Sequence, residues 1–280
     1  MEFLQRRRSL VEDRLTEVVS AVDPAELSAE MEHVALAGGK RVRPMVTILA
    51  CEAAGGEPED AVEFGVGVEL VHNASLVIDD IIDRSEVRRG TDSAWFAFGH
   101  GPAIVASDGL LGEAFAQFAN DGQATAVVTD AMVELGEGEA TELQAIPDGE
   151  AEYLELARRK TGALFRAAAE LGAIAADADQ ETIDAFGEYA ERVGVAFQIR
   201  DDVLDATAAA DELGKPTGQD AAMDRPSVVH VTDLEPEEAN ERAREEADRA
   251  LAALDRVDLE NDTAEGYLRD LAEFVVVRER

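Results

Sequence analysis

Two short stretches of this chain carry residues able to hold a metal-bound anion. Asp79, Asp80 and Asp83 close an almost unbroken apolar run that begins at Leu70. Asp201, Asp202 and Asp205 repeat the same Asp-Asp-x-x-Asp pattern 122 positions later, after Phe197 and Ile199. At helical spacing Asp79 and Asp83 are i and i+4, on one face and one turn apart. Hard carboxylate oxygens in that arrangement suit Mg²⁺ better than any soft metal. Paired acids often merely solvate or cap a helix end, so one such motif would say little. Two of them, each after a helix of buried type, describe facing walls of a water-poor, magnesium-filled cleft.

The cations around these motifs extend the argument. Arg88 and Arg89 follow the first motif at once, and guanidinium groups are natural partners for an anion held by metal ions. Only Lys40, Lys160 and Lys215 are lysines, against 22 arginines. In a chain almost emptied of lysine, the survivors mark positions that need a compact ammonium. Lys40 lies in the stretch 38–44, Gly-Gly-Lys-Arg-Val-Arg-Pro. That stretch reads either as a helix C-cap with cations matched to the dipole or as an anion site, and three cations in four residues favour the anion. His72 sits two turns before Asp79 on the same face and reads equally as a hydrogen-bonded core histidine or as a ligand.

Together these residues describe a site for diphosphates held through several Mg²⁺ ions, where one substrate loses diphosphate while another attacks. The apolar helices between the motifs would supply a dry pocket for a hydrocarbon tail. The sequence carries no Ser/His/Asp or Cys/His nucleophile set, no P-loop and no dinucleotide glycine pattern.

The elements that must position these side chains are helical. Apolar spacing of three and four recurs, as in Leu4, Val11, Leu15, Val18, Val19 and Val22, and period-two alternation is scarce. The expectation is an all-α fold, a single domain over residues 1–280 of roughly ten or more helices. Helices are expected over 2–22, from 24 with Asp23 as N-cap, over 45–54, 59–83, 103–119, 124–145, 152–176, 181–206 and 235–254, and from 261. Residues 91–102 read as loop, and a short helix falls within 221–230. Gly136 and Gly138 read as sites of close helix approach, and Tyr267, Leu271, Phe274 and Val275 as inward-facing. The charges of 235–254 read as a solvated face.

Composition narrows the partners. With 25 basic and 61 acidic residues the formal charge is −36, which repels nucleic acid and anionic membranes. A hydrophobic content of 46% with regular periodicity argues against disorder. The acid is spread along the whole chain, as in a salt-adapted surface, and points to a halophilic source. Cys51 is the single cysteine, which fits a reducing, cytoplasmic location. The N-terminus lacks the apolar core of a signal peptide, and no run reads as long enough to span a membrane.

In the order of its motifs the chain resembles the trans-prenyltransferases, the polyprenyl diphosphate synthases. The succession runs through the basic turn 38–44, Glu-Leu-Val-His-Asn-Ala-Ser-Leu at 69–76, the acidic stretch 79–90, Lys-Thr-Gly-Ala-Leu-Phe at 160–165, the stretch 197–205 and the glycine-rich loop 214–220. The resemblance implies a helical bundle around a central cavity, an isoprenoid synthase fold, and a homodimer. It implies head-to-tail condensation of isopentenyl diphosphate with an allylic diphosphate of C5 to C15, with three Mg²⁺ ions once diphosphate is bound.

By the same likeness Asp79, Asp83 and Asp201 bind metal, with Asp80, Asp202 and Asp205 in support. Lys40, Arg43, His72 and Arg89 match the isopentenyl diphosphate site. Arg88, Lys160, Thr161, Gln198 and Lys215 match the allylic site, Lys160, Thr161 and Gln198 being closest to the chemistry. Two departures stand out. Ser107-Asp108 replaces the family's usual Gly-Asp, and Asp224-Arg225 replaces a common Gly-Lys, where arginine keeps the charge without the point-like ammonium.

Residues one turn before the first motif floor the pocket in this family, and here they are Ala74 and Ser75, with Val71 a turn deeper. Phe115 or Phe118 could close the pocket lower down. An open floor implies geranylgeranyl diphosphate, the lipid precursor a halophilic archaeon needs, with farnesyl or C25 and longer products as alternatives. A class I terpene cyclase and a non-catalytic subunit of a heteromeric synthase are the other readings, and the intact second motif and basic turn speak against both.

Overall fold

The apolar residues at helical spacing become the seams between helices. The computed structural model describes residues 2–144, 147–207, 226–232 and 234–277. Helix α1 (Glu2–Ser20) buries Val11, Leu15, Val18 and Val19. Next come α2 (Ala25–Ala35), α3 (Val42–Ala53), a 3₁₀ turn at Pro58–Ala61 and α4 (Val62–Ile82). Helix α4 is the central rod, packed on α3 and on the later helices α6 and α9. It fully buries Leu70, Val66 and Val68, each worth about 1.5–3 kcal/mol of burial. By length and composition Pro58–Ile82 could cross a membrane, against the reading that no run qualifies. Its most apolar window is 67% buried inside the fold, as in the core helix of a globular bundle, although Ile78 and Ile82 stay exposed.

Beyond α4 the chain makes a small hairpin, β1 (Val87–Arg88) with β2 (Thr91–Asp92), then α5 (Ala94–Phe98), where a loop is expected from sequence. Helices α6 (His100–Phe118) and α7 (Gly122–Gln144) follow. The expected long helix over 152–176 is three pieces: α8 (Glu150–Ala157), a π-turn (Arg158–Gly162) and α9 (Ala163–Ala175). Glycines permit the crowding around that turn. A Cβ at Gly138 of α7 would lie 3.0 Å from the Lys160 nitrogen, and one at Gly194 would lie 2.9 Å from the Gly162 Cα. Gly136, expected to share this role, has nothing near its missing Cβ.

The long α10 (Gln180–Thr207) packs on α9 and on α12 (Pro236–Leu254), with α11 (Val228–Val231) between and α13 (Asp262–Val277) closing the chain. Asn261 caps α13 by accepting from the Thr263 and Ala264 nitrogens, both at 3.1 Å. Asp23 does not cap α2; Pro24 holds the N-cap position and no side chain bonds there. Phe274, expected inward, is 51% exposed, because Ala272 and Val275 take the buried stripe of α13. The face of α12 is not wholly solvated either: Glu246 is buried and pairs with Arg192 and Arg249.

Candidate active site

The first acidic motif sits where α4 stops. Asp83 is its C-cap, Arg84 takes a left-handed φ of 55°, and the Ser85 nitrogen reaches back to the Asp80 carbonyl at 2.9 Å. This is a left-handed helix ending with arginine where glycine is usual. Asp79 and Asp83 are half-buried, while Asp80 is only 3% exposed. Trp95 of α5 donates its indole N–H to the Ser85 carbonyl at 2.9 Å and so ties the chain just after the motif to α5.

The hairpin then splits the two arginines. Arg89 and Gly90 both have positive φ, 55° and 81°, in a two-residue turn of the kind that matches strand twist. Arg88 folds back, its Nε and Nη2 donating to Asp80 at 2.9 and 2.5 Å. Arg89 goes the other way, its Nη1 donating to the Gly38 carbonyl at 2.6 Å and to Asn73 Oδ1 at 3.3 Å. Neighbours in sequence thus take different hydrogen-bond partners.

Arg89 belongs with the basic turn. Lys40 is exposed. Arg43 lies in the first turn of α3, which begins at Val42 rather than after the expected proline break. Its guanidinium stands 4.6 Å over the Phe165 ring, and its Nε is buried with no hydrogen-bond partner among the described residues. Burial, with Arg89 adding to it, pushes Arg43 down to about 10. Burial also holds His72 well below its ordinary value, reinforced by Arg43, Arg89, Arg88 and Arg41. The imidazole is therefore neutral, and four cations stand close enough to act on it. Three of the four residues assigned to the isopentenyl site, Arg43, His72 and Arg89, fall in one electrostatic cluster.

The π-turn carries the opposite wall. Lys160 Nζ is held by Glu142 and, at 3.2 Å, by Glu139, both on α7. Burial would lower this ammonium, but Glu142, Glu139 and Asp79 outweigh it and raise its pKa. One residue on, Thr161 Oγ1 donates to Gln198 Oε1 at 2.8 Å. Gln198 Nε2 in turn donates to Asp202 Oδ1 at 2.8 Å, while Tyr153 Oη and the Val228 nitrogen donate to Asp202 Oδ2 at 2.7 and 2.8 Å. The π-turn therefore reaches the second motif by hydrogen bonds through Thr161 and Gln198, while Lys160 feels the charge of Asp79 in the first. A π-turn re-aims side chains and is frequent at functional sites.

Within the second motif Asp201 is exposed, Asp205 half-buried and Asp202 buried. Asp80 and Asp202, assigned to the metal set, thus have their carboxylates engaged by Arg88 and by Tyr153, Gln198 and Val228. They face protein donors, because each is the inward member of its helix end. Lys215 and Arg225, with the loop 214–220, lie outside the described residues. Among the described residues no three acid, imidazole or thiol groups converge as a ready-made metal cage. The donors are nonetheless hard oxygens at the ends of α4 and α10, which suit a divalent ion whose remaining ligands come from a diphosphate.

The residues expected to floor the pocket lie in the packed interior around α4. Ala74 and Val71 are each 1% exposed, and Ser75 is half-buried with its hydroxyl on the His72 carbonyl. Ser107, the departure on α6, donates to the Ala74 carbonyl at 3.0 Å. Phe118, fully buried, lies over Gly67, where a Cβ would come within 2.3 Å of the ring. Sequence reasoning missed Glu139, Glu142, Tyr153 and the inward role of Arg41. The two glutamates share a face at i and i+3 beside Gly138, a signal hidden by the abundance of acid everywhere else.

The chain as a whole is similar to known proteins in sequence and fold. A short chain isoprenyl diphosphate synthase of Methanothermobacter thermautotrophicus is 37% identical over 254 residues, covering 88% of this chain and 78% of the relative. The solved geranylgeranyl pyrophosphate synthetase of Pyrococcus horikoshii superposes with a TM-score of 0.90 at 33% identity, over 99% of this chain and 98% of that one. A polyprenyl synthase of Caulobacter crescentus, solved with calcium and isoprenyl diphosphate, gives 0.89 at 28% identity, over 100% and 97%. The polyprenyl synthetase family model matches residues 24–259, and the chain belongs to that family.

Proposed function

We propose that this chain is a prenyltransferase that condenses isopentenyl diphosphate head to tail with an allylic diphosphate and releases geranylgeranyl diphosphate. The observation that carries the reading is the π-turn, hydrogen-bonded to the second aspartate motif and electrostatically coupled to the first, while Arg43 and Arg89 form a cationic cluster around His72. Two anion sites of different construction fit two diphosphate substrates. Asp79, Asp83 and Asp201 would hold magnesium with the allylic diphosphate, Asp80, Asp202 and Asp205 supporting them. Bound there, magnesium would neutralise the diphosphate and make it a good leaving group.

The chain's own residues do the rest. Lys160 is paired with Glu139 and Glu142, and Arg88 with Asp80, so their charge is positioned before substrate arrives. Thr161 and Gln198 lie beside the carbon that becomes cationic as the allylic C–O bond breaks. Arg43, Arg89, His72 and Lys40 hold isopentenyl diphosphate so that its double bond attacks that carbon, and the released diphosphate takes the proton. The buried side chains behind Ala74 exclude water from the cation.

The C20 length is supported by the small Ala74 and Ser75 above a floor at Phe118, and by the names borne by several relatives. Action as one domain, a homodimeric state, a cytoplasmic location and a salt-rich source belong to the same proposal. Chromatography of products formed from labelled isopentenyl diphosphate with C5, C10 and C15 primers, in magnesium and high salt, tests it. A C20 end point is expected; a C15 end point would overturn the open floor. No condensation with any primer would favour a non-catalytic subunit, and a hydrocarbon product without chain extension a cyclase.

A further inference from the structure

The basic turn contains a cation that the two substrate sites do not use. Arg41 sits between Lys40 and Arg43, yet its side chain is completely buried. Its backbone is left-handed, φ 52° and ψ 38°, a conformation that costs a non-glycine residue on the order of 1 kcal/mol and persists only where the surroundings enforce it. Those surroundings are three helices. Its Nε and Nη2 donate to Glu12 of α1 at 2.9 and 3.2 Å, Nη2 also to the Ala35 carbonyl of α2 at 2.7 Å, and Nη1 to Glu69 of α4 at 2.6 Å.

Glu69 is itself buried, and the chain of contacts continues from it. Asn73 Nδ2 donates to the Glu69 carbonyl at 2.8 Å, and Asn73 Oδ1 accepts from Arg89 Nη1. The same Arg89 nitrogen donates to the Gly38 carbonyl of the turn. The path leaves the turn at Arg41, passes through Glu69 and Asn73, and returns to the turn through Arg89. Its members act electrostatically on Arg43 and His72, Glu69 and Arg89 on the first and Arg41 and Arg89 on the second.

A buried guanidinium making four hydrogen bonds to two acids and a carbonyl is not replaceable by an ammonium, which lacks the planar fork. Removing one partner of such a buried pair also leaves uncompensated charge. We infer that Arg41 and Glu69 are positioning residues for the isopentenyl diphosphate site, fixing the left-handed turn and, through Asn73, the placement of Arg89. This rests on the substrate assignment proposed above. Arg41 touches neither substrate in this reading; it acts through the residues that do.

Steady-state kinetics of Arg41→Lys and Asn73→Ala against both substrates test the inference. The KM for isopentenyl diphosphate is expected to rise about tenfold or more, while the allylic KM and kcat move less than about threefold. Should Arg41→Lys fail to fold, Glu12→Gln, which keeps the guanidinium and weakens one acceptor, is measured in its stead with the same split expected. A role confined to stability would lower the melting temperature and leave the ratio of the two KM values unchanged. That result, or equal rises in both, overturns the inference. A wild-type chain without condensation activity would instead sink the substrate assignment itself, so the two failures are distinct.

Discussion

Asp79 has a carboxylate at the end of α4 and stands within electrostatic reach of Lys160. Asp79→Ala should lower turnover by about a hundredfold or more, the scale of losing electrostatic stabilisation of a leaving group, while far-UV circular dichroism keeps its full helical signal. Retained activity would remove Asp79 from the metal site. Away from the cleft, Glu170 of α9 is raised from its ordinary 4.5 to about 7, chiefly by burial, with Arg166 opposing and Asp184, Glu191 and Glu134 reinforcing. The folded chain therefore holds a proton at Glu170 that the unfolded chain releases, so this group's contribution to stability falls as pH rises from about 4.5 through about 7. Glu170→Gln should stabilise the protein at pH 8 by on the order of 1–3 kcal/mol and change little near pH 5. Denaturant titrations at the two pH values check this, and an equal effect at both would refute it.

Among the elements, α4 and α6 carry the residues proposed to set the product length. Gly67 lies seven residues before Ala74, about 10 Å further down the helix, and Phe118 packs there against Gly67 and Phe64. Phe118→Ala should release products longer than C20, at a cost of about 3–5 kcal/mol in stability for the cavity; chromatography of the products reads the first and thermal melting the second. An unchanged product spectrum would place the floor elsewhere. These elements also show what the sequence makes visible. Helix existence and both aspartate motifs were legible because they are local: apolar spacing and i, i+4 acids need no tertiary partner. The π-turn was not, since one extra residue per turn leaves the periodicity of 152–176 nearly unchanged. Nor was the direction of Arg41, which reads as one more cation of the turn. It turns inward only because its backbone is left-handed and two acids from distant helices meet it. Phe274 failed for a related reason, the stripe of α13 being set by its neighbours α3, α12 and α10 rather than by its own apolar residues.

At the scale of the whole molecule, a charge of −36 acts on every part at once. Many of the acids are answered by arginine in short networks, such as Glu134 with Arg158 and Arg166, and Glu188 with Arg192 and Arg256. Such pairs are individually weak at the surface, and the uncompensated acids repel one another across the molecule. Salt screens that repulsion over distances beyond about 10 Å at 0.1 M. The melting temperature should accordingly climb with KCl concentration, and helicity should fall in salt-free buffer. Full helicity and an unchanged melting temperature in low salt would show that the acidic surface serves solubility alone.

The indole of Trp95 has a use beyond its packing. It is the only tryptophan in the chain, and its one bond is to the carbonyl two residues past Asp83. Its rings lie against His100 and Phe96, so its emission comes from a single environment beside the first acidic motif. Unlabelled wild-type protein thus contains its own optical sensor, with no second indole to dilute the signal. Titrating magnesium and a diphosphate into it would follow occupation of that wall of the cleft directly, before and apart from any turnover.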